Sequence, residues 1–182
     1  MVRSLREPGG TPIGEEIRHT LKHSANNHSM TPESELLLMN ASRAQLVREV
    51  IRPALAAGEV VLCDRFFHST LVYQGYGRQL GVEMVNQVIE IAVGHTKPDL
   101  TLLLRVPLAV SEERQRVRNS TGPAVRDRFE EADRSFYARV DRGYDLIAAS
   151  DPKRIRVIDA TCSIQAVHQA IWTEISALLR AE

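Results

Sequence analysis

Three short, largely apolar runs that lack strict polar–apolar alternation, separated by long amphipathic stretches, constrain this chain more than any other feature. They lie at 59–63, 100–104 and 155–158. A strand with one wet face alternates apolar and polar residues, whereas a strand covered on both faces does not. The segment 2–5 reads as the tail of a further strand. Helical periodicity occupies 14–24, 33–57, 82–95, 108–118, 130–149 and 163–180, and the second of these opens after Thr31-Pro32, a capping residue followed by proline. Strands alternating with helices predict an α/β fold with a parallel sheet flanked by helices. Leu36, Leu37, Leu38 and Trp172 are expected in the core. No repeat or linker divides the sequence, so 1–182 reads as a single domain.

Charge narrows the function classes. The 23 basic and 23 acidic residues cancel, so no global field draws the chain to nucleic acid or an anionic membrane. Lysine occurs only at 22, 97 and 153, and the other basic residues are arginine, whose fork suits phosphate oxygens. Cys63 and Cys162 show no CxxC spacing, which predicts free thiols in a reducing compartment. The residues from Met1 carry no apolar leader pattern, and no run approaches the ~18 residues of a membrane span. The expectation is a cytoplasmic protein.

Polar residues gather where the strands end. Arg6-Glu7-Pro8-Gly9-Gly10-Thr11 joins a strand tail to a helix, and ligands of parallel sheets bind at that edge. The run Val60-Val61-Leu62-Cys63-Asp64-Arg65 is an apolar strand ending in a carboxylate, a pattern that helps hold Mg²⁺ beside transferring phosphates. Arg65 follows directly, and His68, Ser69, Thr70, Tyr73, Gln74 and Arg78 add further donors. Segment 119–128 has turn formers and clustered charge and reads as a candidate lid. An arginine delivered by such a lid stabilises charge in a phosphoryl transition state.

Together these residues resemble the bacterial thymidylate kinases. Arg6-Glu7-Pro8-Gly9-Gly10-Thr11 is similar to the REPGGT signature of that family. Asp64-Arg65 with Ser69-Thr70 and Tyr73-Gln74-Gly75 is similar to its DRY…S(S/T)…YQG signature. Pro98-Asp99-Leu100-Thr101, Arg128-Phe129-Glu130 and Ile158-Asp159-Ala160-Thr161 continue the match in order. The resemblance implies a three-layer P-loop NTPase-like fold and transfer of the γ-phosphoryl group of ATP to thymidine monophosphate (dTMP), with Mg²⁺ as cofactor. It implies that Arg18 and Arg65 grip the acceptor phosphate, Arg43 bonds the thymine ring, and Thr70 and Gln74 contact the base. Glu7 and Pro8 border the nucleotide, Asp64 lies near magnesium, and Arg126 and Arg128 cover the donor phosphates. Asp159, Ala160 and Thr161 frame the adenine. A homodimer is also implied, with Leu37, Val47 or Ile51 able to face the partner as readily as the core.

Three departures from the family pattern stand out. No G-x-x-x-x-G-K-[ST] occurs, and Met1 stands five residues ahead of Arg6. The expectation is a chain lacking the first strand and P-loop through truncation or a misassigned start, inactive and poorly folded as written. Met39 occupies the position where the family stacks a Phe on the base, which loosens the preference for thymine. Arg105 stands where the family commonly has a carboxylate. Two alternatives are a kinase for another deoxynucleoside monophosphate and a non-catalytic remnant that binds a nucleotide or a partner.

Overall fold

Strands form where the apolar runs predict them. The computed structural model describes residues 1–121 and 133–180. Among them the strands are β1 (Val2–Arg6), β2 (Val60–Asp64), β3 (Thr101–Arg105) and β4 (Ile155–Asp159). β1 pairs parallel with β2, setting Leu5 opposite Cys63 and Arg6 opposite Asp64. β3 pairs parallel with β4, setting Leu104 opposite Ile158 and Arg105 opposite Asp159. These are two separate two-stranded ladders, and the described residues divide into two compact units, 1–97 with 133–143 and 98–121 with 144–180.

The first unit holds α1 (Pro12–His23), α2 (Pro32–Leu46), α3 (Arg52–Ala56), α4 (Phe67–Thr70), α5 (Val82–Val93) and the first part of α7 (Arg134–Ser150). Its core joins Leu36, Leu46, Val47 and Ile51 to Val85, Ile89, Ala92 and Val93, with Leu5, Val61 and Cys63 of the ladder packed against it. Successive strand side chains point to opposite faces. Val60 and Leu62 are therefore turned away from this core and remain 44% and 48% exposed. This departs from the expectation of strands buried on both faces: helices of this unit cover one face of the ladder.

Thr31 caps α2 by accepting the Ser34 N–H at 3.2 Å, with Pro32 at the first helical position, as predicted. The helical run over 33–57 is not uniform. A π-helical turn, Val47–Ile51, separates α2 from α3. Pro53 has no N–H and its ring crowds the preceding carbonyls, and the wider turn just ahead of it absorbs that defect. The same run corrects two expectations. Leu36 is buried but Leu37 is 59% exposed, because consecutive helical residues point about 100° apart and cannot all face the core. Val47 and Ile51 are buried within this chain's own core, leaving Leu37 as the exposed member of the three residues considered for a dimer face.

The second unit contains α6 (Leu108–Thr121), the remainder of α7 and α8 (Ile164–Leu179), which lies against β4. Ile155 and Ile158 are buried, while Leu104 and Val157 are exposed. Trp172, expected in the core, is also exposed. Residues 119–121 of the candidate lid belong to the last turn of α6, and its remaining residues, Arg126 and Arg128 among them, lie outside the described part of the chain. No helix among the described residues is long and apolar enough to cross a membrane.

Candidate functional site

The turn between β1 and α1 is held by side chains on three sides. Its Glu7–Pro8 peptide bond is cis, and Gly9 and Gly10 take φ of 122° and 85°. Glycine is favoured at position 9 by its φ of 122°, which side-chain-bearing residues rarely adopt. Thr11 caps α1 by accepting the Gly14 N–H at 2.9 Å. Glu15, in the first helical turn, accepts from the Gly10 N–H at 2.8 Å and from Arg6 Nη2 at 3.1 Å. The backbone N–H of Gly10, followed by Arg6, holds its carboxyl below the usual carboxylate range. The Gly9 N–H donates to Ser42 Oγ of α2 at 3.0 Å, and Arg18 Nη1 donates to the Pro8 carbonyl at 2.8 Å.

Glu7 and Arg43 form a buried ion pair behind this turn. Arg43 Nε donates to Glu7 Oε2 at 2.8 Å, with both side chains only 3% exposed. Arg43 Nη1 donates to Asn40 Oδ1 at 3.0 Å, and its guanidinium carbon lies 5.8 Å from the centre of the Phe66 ring. Glu7 Oε1 is buried and has no hydrogen-bond partner among the described residues. Burial drives the Glu7 carboxyl upward against the opposing pull of Arg43. An acceptor left dry in this way costs about 1–3 kcal/mol until a donor reaches it.

β2 delivers Asp64 and Arg65 next to the turn. The Glu7 N–H donates to the Asp64 carbonyl at 3.0 Å, so the two strand ends are stitched together. Asp64 is exposed. Arg65 adopts φ of 65°, rare for a residue with a Cβ, and its guanidinium lies 5.4 Å from the centre of the Tyr73 ring. The chain then enters α4 and a π-helical stretch, Leu71–Gly77. Sequence periodicity does not reveal this helix, because Tyr73, Gln74, Gly75, Tyr76 and Gly77 break the apolar pattern. Gly77 permits close packing: a Cβ there would meet Phe136 at 2.6 Å. Thr70 and Gln74, one turn apart, are both buried.

Gln74 is tied to a residue that the motifs do not mark. Its Nε2 donates to Glu35 Oε1 at 2.9 Å, and Glu35 also receives Arg78 Nε at 3.1 Å and Nη2 at 3.0 Å. Arg78 in turn stacks 4.7 Å from the Phe136 ring centre. Glu35, Met39 and Arg43 are spaced four apart on α2 and share one helix face, each step about 6 Å along the axis. Met39 is half-buried between two anchored polar groups. Ser42, Glu15, Asn40 and Glu35 all escape a motif search. For Glu35, Asn40 and Ser42 the available signal is a polar side chain on a helix whose Leu36 and Leu46 enter the core.

The remaining predicted residues belong to the second unit. Asp159 ends β4 and accepts from the Thr161 N–H at 2.9 Å and from Thr161 Oγ1 at 2.7 Å, which lowers its pKa. Ala160 N–H donates to the Arg105 carbonyl at 2.8 Å, and Arg114 Nη2 donates to the Ala160 carbonyl. The Arg105 side chain donates to Asp145 Oδ1 at 2.7 Å, which accounts for a cation at this strand position.

No group of three or more His, Cys, Asp or Glu able to hold a metal occurs among the described residues. Magnesium is usually bound through one or two carboxylates together with substrate phosphates and waters. The exposed Asp64 carboxylate at a strand end fits an ion arriving with a nucleotide, and does not by itself make a resident metal site.

The cysteines differ in reactivity. Burial, followed by the nearby Glu7 carboxylate, pushes the Cys63 thiol up to about 12, while Cys162 is exposed. The thiolate is the reactive form. Iodoacetamide at pH 8 is expected to alkylate Cys162 and spare Cys63 in the folded chain, with both labelled in denaturant. Peptide mass spectrometry reads the difference, and equal labelling of both in the folded chain contradicts it.

Comparison with known proteins supplies an independent finding. The family model described as thymidylate kinase matches residues 1–171. The thymidylate kinase of Syntrophotalea carbinolica is 47% identical over 168 residues, spanning 92% of this chain and 77% of its own length. That of Kosmotoga olearia is 46% identical over 93% of this chain and 78% of its own. That of Geobacter sulfurreducens is 47% identical over 91% and 78%.

Proposed function

This chain belongs to the thymidylate kinase family, and from that premise we propose that its first unit is the acceptor site, binding dTMP through an anchored arginine and an anchored glutamine. The observation that carries this reading is the fixed Arg43. Glu7 accepts from its Nε and Asn40 from its Nη1, and Nη2 makes no hydrogen bond among the described residues. A buried, charged donor held in place is suited to a ring carbonyl. Gln74, on the far side of Met39, supplies the complementary contact, and Thr70 lies beside it. Arg18 and Arg65 hold the 5′-phosphate.

In the reaction, an oxygen of that phosphate attacks the γ-phosphorus of ATP, the bond to the β-phosphate oxygen breaks, and ADP leaves. Positive charge around the three equatorial oxygens lowers the barrier, a role given to Arg65, Arg126 and Arg128. Bound magnesium neutralises donor phosphate charge, and Asp64 is the residue that would hold it. Asp159, Ala160 and Thr161 frame the adenine. These 182 residues include no G-x-x-x-x-G-K-[ST], the backbone cradle for donor phosphates. Acceptor binding is therefore assigned to them, and unaided turnover is not.

Titration calorimetry of the chain with dTMP, followed by an ATP·Mg²⁺ transfer assay, tests both halves. Binding without turnover is expected. A folded chain that ignores dTMP sinks the acceptor assignment, and measurable turnover sinks the claim about the cradle. Met39 in place of a stacking aromatic favours a second reading, a kinase for another deoxynucleoside monophosphate, which the same titration with dUMP and dCMP resolves.

A further inference from the structure

Glu35 has 0% exposure and lies one helical turn from Met39 and two from Arg43. Its two oxygens accept N–H groups from Gln74 and from the fork of Arg78. A carboxylate facing a guanidinium fork offers acceptors only, whereas a glutamine amide has a donating end and an accepting end of nearly the same shape. Glu35 can therefore be met only by the NH₂ end of Gln74. The flipped amide would aim Oε1 at a buried carboxylate oxygen and leave both acceptors without a partner. Packing fixes the other side of the arrangement. Arg78 stacks on Phe136, and Arg139 Nε donates to the Gly77 carbonyl at 3.0 Å, which braces the turn carrying both residues.

The bond to Glu35 is the one hydrogen bond of the Gln74 side chain among the described residues. Gln74 Oε1 is thereby presented as a fixed acceptor. A ring edge with an N–H, as in the imide of thymine or uracil, satisfies it. The bare ring nitrogen of cytosine sets acceptor against acceptor. A site built around a fixed polar partner discriminates far more strongly than one that reads shape alone.

We propose that Glu35 is the specificity-determining residue of the acceptor site: it locks the amide of Gln74 so that only nucleobases offering a ring N–H are accepted. The inference rests on the reading that the acceptor's base docks beside Gln74, and it adds a residue that need not touch the base at all.

The test is the ratio of dissociation constants for dTMP and dCMP, measured by calorimetry for the parent chain and for Glu35→Gln. A glutamine at position 35 can meet either end of the Gln74 amide, so the preference for dTMP is expected to shrink at least tenfold, largely through tighter dCMP binding. Equal losses for both nucleotides, or an unchanged ratio, make Glu35 merely structural and overturn the proposal. A parent chain that binds both equally overturns it while leaving nucleotide binding intact. A parent that binds neither overturns the acceptor reading and the inference with it. Should Glu35→Gln fail to fold, amide NMR of the parent decides. The Gln74 Hε protons are expected to keep their contacts to the Glu35 Hγ protons with dTMP and with millimolar dCMP, and loss of those contacts with dCMP overturns the lock.

Discussion

Replacing Arg43 with Met is expected to lower the stability of the chain by about 3–5 kcal/mol, the range for a buried pair that loses one partner. For a chain of this size that corresponds to a fall of roughly 10 °C in the melting midpoint. The cause is the charge left behind. Glu7 and Arg43 are each 3% exposed, and Oε1 of Glu7 already lacks a partner. Removing the guanidinium leaves a whole carboxylate dry. Methionine keeps most of the apolar stem, so lost packing contributes little. The double variant Glu7→Gln/Arg43→Met separates the two roles of the pair. With no buried charge to strand, it is expected to recover most of the lost stability, yet not the binding of dTMP, because the donor assigned to the base is still gone. A single variant that melts with the parent would show that the ion pair contributes nothing to the fold. A double variant that binds dTMP normally would remove Arg43 from the site.

Replacing Arg65 with Gly is expected to have the opposite profile, an unimpaired fold and a damaged site. Arg65 holds φ of 65°, a conformation that costs a side-chain-bearing residue about 1–3 kcal/mol and glycine almost nothing. Glycine also makes the unfolded chain more flexible, which returns about 0.4–1 kcal/mol of that gain. The net expectation is a midpoint of urea unfolding equal to the parent's or slightly higher. Binding of dTMP is expected to weaken about 10- to 100-fold, since a hydrogen bond to a charged group contributes about 1.5–3 kcal/mol. Arg65→Ala serves as the control: it loses the same binding but retains the strain. If Arg65→Gly is markedly less stable than Arg65→Ala, the backbone at this position is not strained. If both bind dTMP as the parent does, the phosphate is held elsewhere.

Retention of strain at Arg65 fits a residue placed for chemistry. Strained backbone persists where the surroundings over-determine it, and such positions concentrate at functional sites. Here the surroundings are visible. β2 ends at Asp64, the Asp64 carbonyl accepts from Glu7, and Tyr73 lies beneath the guanidinium.

The sequence by itself determined the strands, the family and most of the side chains proposed for the site. Three short, largely apolar segments, each with polar residues at its carboxyl end, specify parallel strands with a candidate site at that edge, because local composition decides which segments can be buried. Asp64, Arg65 and Gln74 stand in motifs whose order and spacing are one-dimensional properties, and the family resemblance points to Arg18 and Arg43. Tertiary structure decided what those side chains do to one another. Neither the partner of Arg43, 36 residues away at Glu7, nor that of Gln74, 39 residues away at Glu35, can be read from spacing, since both depend on which helix face meets which turn. It also decided which of three consecutive leucines is buried, where Pro53 forces a wider turn, and that each ladder covers only alternate residues. Short-range propensity and pattern are written residue by residue, but the desolvation that makes a carboxylate need its arginine exists only once the chain has closed around them.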